Sequence, residues 1–340
     1  MVVNGVGTIG KRVAHAVKLQ KDMQLVGISD VAATSWLRTI LEPEGPLFKT
    51  DLYCSSPDML QKFKDSGMYI HGLLQDLLAS GGVDVVVDCT PAGIGSKNRA
   101  MYERYGVKTV YEGGEKPDIA PVSFSAMANY EKALNQKAVR VVSCNTTSLI
   151  RTINAVDKSI GVQDVFAVLI RRATDPWDEK EGPINAIIPE VHVPSHQGPD
   201  LQTVLPNINI KTMVAKAPTT LTHTHFVTGT LKKKADPEEI KQAFLKYGRI
   251  ILLKASDGYT ATSEIIERFR DLGRPRYDMY EAAVWDESVN IEDKKFYWIH
   301  AVHSEAIVIP ENIDAIRAIT GIEKDKMKSI EKTNKSLGIK

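Results

Sequence analysis

Residues 1–17, MVVNGVGTIGKRVAHAV, decide the fold. Apolar residues 1–3 and Asn4 read as a stub of strand, clipped by a few residues at its start. Gly5, Gly7 and Gly10 follow with G-x-G-x-x-G spacing, and then Ile9, Val13, Ala16 and Val17 recur at helical spacing. A glycine turn between a strand and a helix is the context in which this pattern binds a dinucleotide. Gly5 permits the tight turn, Gly7 lets a pyrophosphate approach the backbone, and Gly10 lets helix and strand pack closely; the helix N-terminus faces the anion. A second strand, 24-QLVGISD-30, ends in Asp30, about 20 residues past the last glycine, where a carboxylate accepts hydrogen bonds from the adenosine ribose. A 2′-phosphate would meet that carboxylate, so NAD is favoured over NADP.

The same alternation runs outward from this turn. An irregular stretch from Val31 to Ser56 leads to helices at 57-PDMLQKFKDSG-67 and Leu73–Leu78. The β-branched runs 83-VDVVVDCTPAGIG-95, 107-VKTVYEGGEK-116 and 139-VRVVSCN-145 each end in a polar or glycine loop, as strands buried on both faces of a parallel sheet do. Five strand candidates alternating with helices predict a doubly wound, Rossmann-type α/β domain.

From about residue 150 the pattern changes. Runs 162–172, 207–215, 221–231 and 296–309 have short connections and partial period-two alternation, which predicts a largely antiparallel sheet. Helices at 237–248, capped by Asp236, and at 263–273 make this half an α+β domain. The expected organisation is a nucleotide domain over 1–143, a catalytic domain over 144–309, and a helical segment, 310–340, that returns to the first domain.

With 340 residues the chain is long enough for two cores. Its 43 Lys and Arg nearly cancel 42 Asp and Glu, so no bulk field points to nucleic acid or an anionic membrane. No run approaches the roughly 20 apolar residues of a membrane span, and no secretory pattern opens the chain. The expected location is the cytoplasm. Cys54, Cys89 and Cys144 make no metal-type pair and no even disulfide framework, which suits a reducing compartment.

Cys144 stands at the start of a helix, where unpaired N–H groups and the positive end of the helix dipole stabilise a thiolate. Such a thiolate attacks carbonyls and needs an acid or base nearby. Eight histidines are available: His15, His71, His192, His196, His223, His225, His300 and His303. Spacing alone leaves that choice open. His223 and His225 share a strand face, but the ligand spacing of a zinc site is absent, and no metal is expected. Arg171-Arg172 would suit a phosphate or carboxylate, or a solvated strand end.

Taken together, 4-NGVGTIGKRV-13, 112-EGGEK-116, 142-VSCNTTSLIRTI-153, 170-IRRATDP-176, 182-GPINAI-187, 217-APTTLTHTHF-226 and 306-AIVIPENIDAIRA-318 resemble the archaeal-type, phosphorylating glyceraldehyde-3-phosphate dehydrogenases, almost end to end. The resemblance implies a Rossmann domain, a catalytic α+β domain and a homotetramer. It places Cys144 as nucleophile and His223 as general base. Thr8, Ile9, Gly114, Arg172 and Ser304 fall on cofactor positions; Ser143, Asn145, Thr146, His196 and Gln197 fall on substrate positions. Three departures stand out: His196-Gln197 where relatives often pair two histidines, Ser304 where they carry glutamine, and Asp30 where a lysine suited to NADP is common.

The implied reaction is reversible oxidation of D-glyceraldehyde 3-phosphate to 1,3-bisphosphoglycerate with NAD(P) and inorganic phosphate, through a cysteine thioester, in glycolysis or gluconeogenesis. Alternatives are another acyl-phosphate reductase, such as a semialdehyde dehydrogenase, and a nucleotide-sensing Rossmann protein without catalysis.

Overall fold

The computed structural model describes residues 1–112 and 114–340. In the first half, strands and helices alternate as β1 (Val2–Asn4), α1 (Gly10–Lys18), β2 (Gly27–Asp30), α2 (Ser35–Leu41), β3 (Leu52–Cys54), α3 (Leu60–Asp65), α4 (Leu74–Ala79) and β4 (Val85–Asp88). There follow α5 (Ile94–Arg104), β5 (Lys108–Tyr111), β6 (Ser123–Phe124), α6 (Ala126–Ala133) and β7 (Ala138–Val141). The second half runs α7 (Cys144–Ser159), β8 (Val162–Arg172), β9 (Ile188–Pro189), α8 (Gln197–Gln202), β10 (Asn209–Ala217), β11 (Thr222–Leu231), α9 (Pro237–Tyr247) and β12 (Ile250–Leu253). It closes with α10 (Thr262–Asp271), β13 (Ala282–Trp285), β14 (Asn290–Glu292), β15 (Lys295–His303), α11 (Ile309–Thr320) and α12 (Lys326–Leu337).

Two compact units result, Met1–Ser143 with Ile309–Lys340, and Cys144–Val308. In the first, the sheet order is β3-β2-β1-β4-β5-β7-β6, with every pairing parallel. Val2, Val3, Val85, Val86 and Val87 are buried, as continuous β-branched runs in a two-sided sheet should be. The strand order reverses between β1 and β4, so the glycine turn after β1 sits at the switch point, where doubly wound folds take their ligands. The tail is tied in by two buried polar bonds, Ala126 N–H to Glu311 Oε2 (2.6 Å) and Asn312 Nδ2 to Glu112 Oε2 (3.0 Å), and by half-buried bonds from Arg317 to both Asp22 oxygens (2.9 Å).

This sheet has more strands than the sequence pattern predicts. The stretch 31–56, expected to be irregular, carries α2 and β3. Thr34 caps α2 by accepting from Leu37 N–H, but the helix is seven residues long and buries only Leu37 and Ile40, too few to mark a period. β3 and β6 are three and two residues long and hold their places through the register of β2 and β7. β2 is shorter than expected, beginning at Gly27.

The second unit is built on the order β12-β13-β15-β11-β8-β10-β9, with β14 on β15. Among the described residues its sheet is mixed. β8 pairs β10 and β12 pairs β13 in parallel, while the other five pairings are antiparallel. Period-two alternation tells which face a residue takes and nothing about the direction of its neighbour, which explains the two parallel pairs missed. The run 296–309 also divides: β15 stops at His303, a turn returns Ala306 and Ile307 N–H to the His303 carbonyl, and Pro310 enters the first turn of α11. Asp236 caps α9 in a reciprocal box with Glu239. Among the described residues no helix is long and apolar enough to cross a membrane.

Candidate active site

The glycine turn has the shape a bound phosphate needs. Gly5 adopts φ +84°, and a Cβ there would lie 2.8 Å from Thr90 N, since the turn packs directly on the chain leaving β4. A Cβ on Gly10 would come within 1.8 Å of the Gly5 carbonyl oxygen, so helix and turn touch backbone to backbone. A Cβ on Gly7, by contrast, would meet nothing within 4 Å: this is the open side of the turn, and only glycine leaves the main chain bare to a ligand. Ile9 occupies the α1 cap with no side-chain hydrogen bond and no acidic residue in the first turn, which suits an anion. Asp30 braces this turn: Oδ2 accepts from Val6 N–H (2.7 Å), and Oδ1 from Val31 (2.7 Å) and Ala32 (3.1 Å). With three of about four lone-pair sites taken, its carboxylate keeps room for one further donor. Gly114, at φ +81°, lies in the loop after β5 on the same carboxyl edge of the sheet; its neighbour Gly113 lies outside the described residues.

In the second unit α7 begins at Cys144 itself. β11 alternates strictly here, so His223 and His225 turn the same buried face. His223 Nε2 lies 3.4 Å from Cys144 Sγ. Its Nδ1 accepts the Arg172 backbone N–H at 2.9 Å. An amide N–H can only donate, so the single proton of the neutral ring is on Nε2 and faces the sulfur. Burial first, and then the charges of Arg171 and Arg172 and the neighbouring His303, hold the His223 pKa well below the usual imidazole value, so the ring is neutral at physiological pH.

The second strand histidine has different partners. His225 Nε2 is 2.9 Å from Asn145 Oδ1, its Nδ1 is 3.2 Å from Ser148 Oγ, and His300 Nε2 is 3.3 Å from the same hydroxyl. Thr146 donates its hydroxyl proton to Asp200 Oδ2 (2.6 Å), which links α7 to α8. His196 is the exposed N-cap residue of α8, 3.8 Å from Glu190, and Gln197 is buried, its carbonyl oxygen without a hydrogen-bond partner among the described residues. Arg172 forms an ion pair with Asp175, and the Ser304 hydroxyl donates to the Leu221 carbonyl (3.3 Å). Ser143, the last residue of the first unit, immediately precedes the thiol. Among the described residues no group of three or more His, Cys, Asp or Glu is placed to hold a metal ion. Asp200 and Ser148 carried no sequence signal, and His300 stood only as one of eight histidines, because each acts across a contact between elements far apart in the chain or within one turn of α7.

A dinucleotide-type parallel sheet in the same chain as a cysteine–histidine pair at a helix start defines, as a class, an NAD(P)-dependent α/β oxidoreductase that works through a thiol. The model of the glyceraldehyde 3-phosphate dehydrogenase C-terminal domain matches residues 143–270. Glyceraldehyde-3-phosphate dehydrogenases of Pyrococcus abyssi and Thermococcus sibiricus are each 50% identical over 337 residues, covering 99% of this chain and 98% of theirs. Glyceraldehyde-3-phosphate dehydrogenase 2 of Methanosarcina barkeri is 47% identical across the whole chain and 98% of its own length. The chain belongs to the glyceraldehyde-3-phosphate dehydrogenase family, in its archaeal form.

Proposed function

We propose that the chain oxidises D-glyceraldehyde 3-phosphate to 1,3-bisphosphoglycerate, reversibly, with inorganic phosphate as co-substrate. The observation that carries this reading is the 3.4 Å approach of His223 Nε2 to a thiol at the head of α7. The α7 N-terminus and the Nε2–H both favour the Cys144 thiolate. Its attack on the aldehyde carbon gives a hemithioacetal alkoxide directly, stabilised by His223 Nε2–H, the Asn145 amide and the first N–H groups of α7. The bound nicotinamide nucleotide supplies the hydride acceptor. Loss of hydride from the alkoxide leaves a thioester on Cys144; phosphate then attacks its carbonyl and expels the thiolate. Because Nδ1 is occupied by the Arg172 amide, His223 acts here as a hydrogen-bond donor rather than as the general base its family position suggests. Cys144→Ser tests the assignment: turnover should vanish with nucleotide binding nearly unchanged, and a serine variant retaining most activity contradicts it.

In the same reading, residues 1–143 with 310–340 bind the nucleotide through Gly5, Gly7, Thr8, Ile9, Gly10, Asp30 and Gly114, while 144–309 perform the chemistry. Arg172 and Ser304 are the further nucleotide residues of this reading. Ser143, Asn145, Thr146, His196 and Gln197 hold the substrate; Thr146 must first give up its bond to Asp200 to donate to a phosphate. The Asp30 carboxylate favours NAD, since it would repel a 2′-phosphate. The exposed apolar residues Ile184, Ile187, Val191 and Val193, and the face of the second sheet that shows Phe166, Met213 and Phe226, support a homotetramer. The location in this reading is the cytoplasm.

A further inference from the structure

We propose that His225 is a positioning residue for this reaction: it holds the Asn145 side chain by its oxygen, so that the amide nitrogen is left to donate to the substrate oxygen. The inference rests on the reading of Cys144 and Asn145 given above. A carboxamide rotated by half a turn exchanges its oxygen and nitrogen, and an amide free to do so spends part of its time presenting the wrong atom to a developing oxyanion. Asn145 lies in the first turn of α7, is 2% exposed, and makes its side-chain hydrogen bond through Oδ1 to His225 Nε2 (2.9 Å); its Nδ2 makes none with the described residues.

The imidazole is in turn set by what surrounds it. His225 is fully buried, and burial first, followed by His300, His223 and Arg171, keeps it neutral, with one donor and one acceptor. An amide oxygen can only accept, so Nε2 carries the proton and Nδ1 is left as the acceptor, 3.2 Å from Ser148 Oγ, whose single proton is shared with the Asn145 backbone carbonyl at 3.0 Å. His300, whose pKa burial pushes down to about 3, donates from Nε2 to the same hydroxyl. β11 and β15 bring His225 and His300 into direct register, with ring centroids 4.8 Å apart, so two strands and a helix fix one amide. No member of this set other than Asn145 needs to touch the substrate.

A double-mutant cycle on the full-length protein, assayed with glyceraldehyde 3-phosphate, phosphate and nucleotide, tests this. His225→Phe should lower kcat by about 10- to 100-fold, with aldehyde KM and the rate of Cys144 alkylation by iodoacetate unchanged. Asn145→Ala should lower kcat comparably, and the double variant should fall no further than Asn145→Ala alone; His225→Gln, which restores an N–H donor, should recover part of the loss. Multiplicative losses in the double variant, or a change confined to KM, would overturn the proposal. If His225→Phe does not fold, His225→Asn, too short to reach Asn145, carries the same cycle. Full turnover by Cys144→Ser would instead sink the underlying reading, a result the cycle by itself does not produce.

Discussion

Cys144 differs from the other two cysteines in its surroundings rather than in its chemistry. Burial pushes the Cys89 thiol well above its ordinary pKa, helped by Glu112 and Asp88, and burial raises Cys54 as well. Both are protonated at neutral pH, and Cys54 Sγ is bonded to the Ser56 carbonyl. Iodoacetate should therefore modify Cys144 at least about tenfold faster than either, read by peptide mass analysis; equal rates would remove the case for an activated thiol. His223→Asn should lower kcat by about 10² to 10³, the usual cost of an oxyanion donor. The serial position of Cys144 pointed to a nucleophile from the sequence alone. Its partner was not legible, because eight histidines offer the same chemistry and only the folded packing of α7 beside β11 brings Nε2 of His223 to the sulfur.

At the scale of elements, the three glycines of the first turn make separable predictions. Gly7→Ala adds a Cβ to open space and should leave stability within about 0.5 kcal/mol while weakening nucleotide binding, measured by titration calorimetry. Gly10→Ala places a Cβ against a backbone oxygen and should destabilise by about 1–3 kcal/mol in denaturant unfolding. If both behave alike, the turn is not a phosphate cradle. Asp30 works at this scale too, as brace and as discriminator. Wild-type kcat/KM should favour NAD over NADP by about tenfold or more, and Asp30→Asn should narrow that ratio. A wild-type preference for NADP would refute the reading of its charge. The long periodic elements, α7, α9, β8 and β11, could be read from spacing; α2, β3 and β6 could not, because so few residues hold no period and take their structure from neighbouring strands.

Across the whole molecule, three buried histidines set a pH limit. His223, His225 and His300 all have pKa values lowered in the folded state, His300 to about 3, whereas each binds a proton near its ordinary value once unfolded. The unfolded chain then binds more protons below about pH 6.5, so stability is full above that pH and falls as pH drops below it. The slope reaches about 1.4 kcal/mol per pH unit for each histidine. Urea midpoints should fall steadily from pH 7 to 5; a flat profile would show that these rings do become charged in the folded state. The apolar face around Phe166, Met213 and Phe226 makes a further prediction, since sedimentation should give four times the 37.6 kDa chain mass and Met213→Asp should dissociate it. A wild-type monomer would contradict the assembly proposed.

The sequence by itself determined the two halves, the glycine turn at the start of a doubly wound sheet, the acidic end of β2 and a cysteine at the head of a helix. Those features depend on residues close together in the chain, where periodicity and turn chemistry act directly. The tertiary structure alone decided which histidine meets the thiol, which of its nitrogens carries the proton, and that Asn145 is held by His225 and Thr146 by Asp200. Each of these is a contact across 51 to 80 positions of chain, made by strand register and by α7 packing against its sheet, and local spacing carries no record of either.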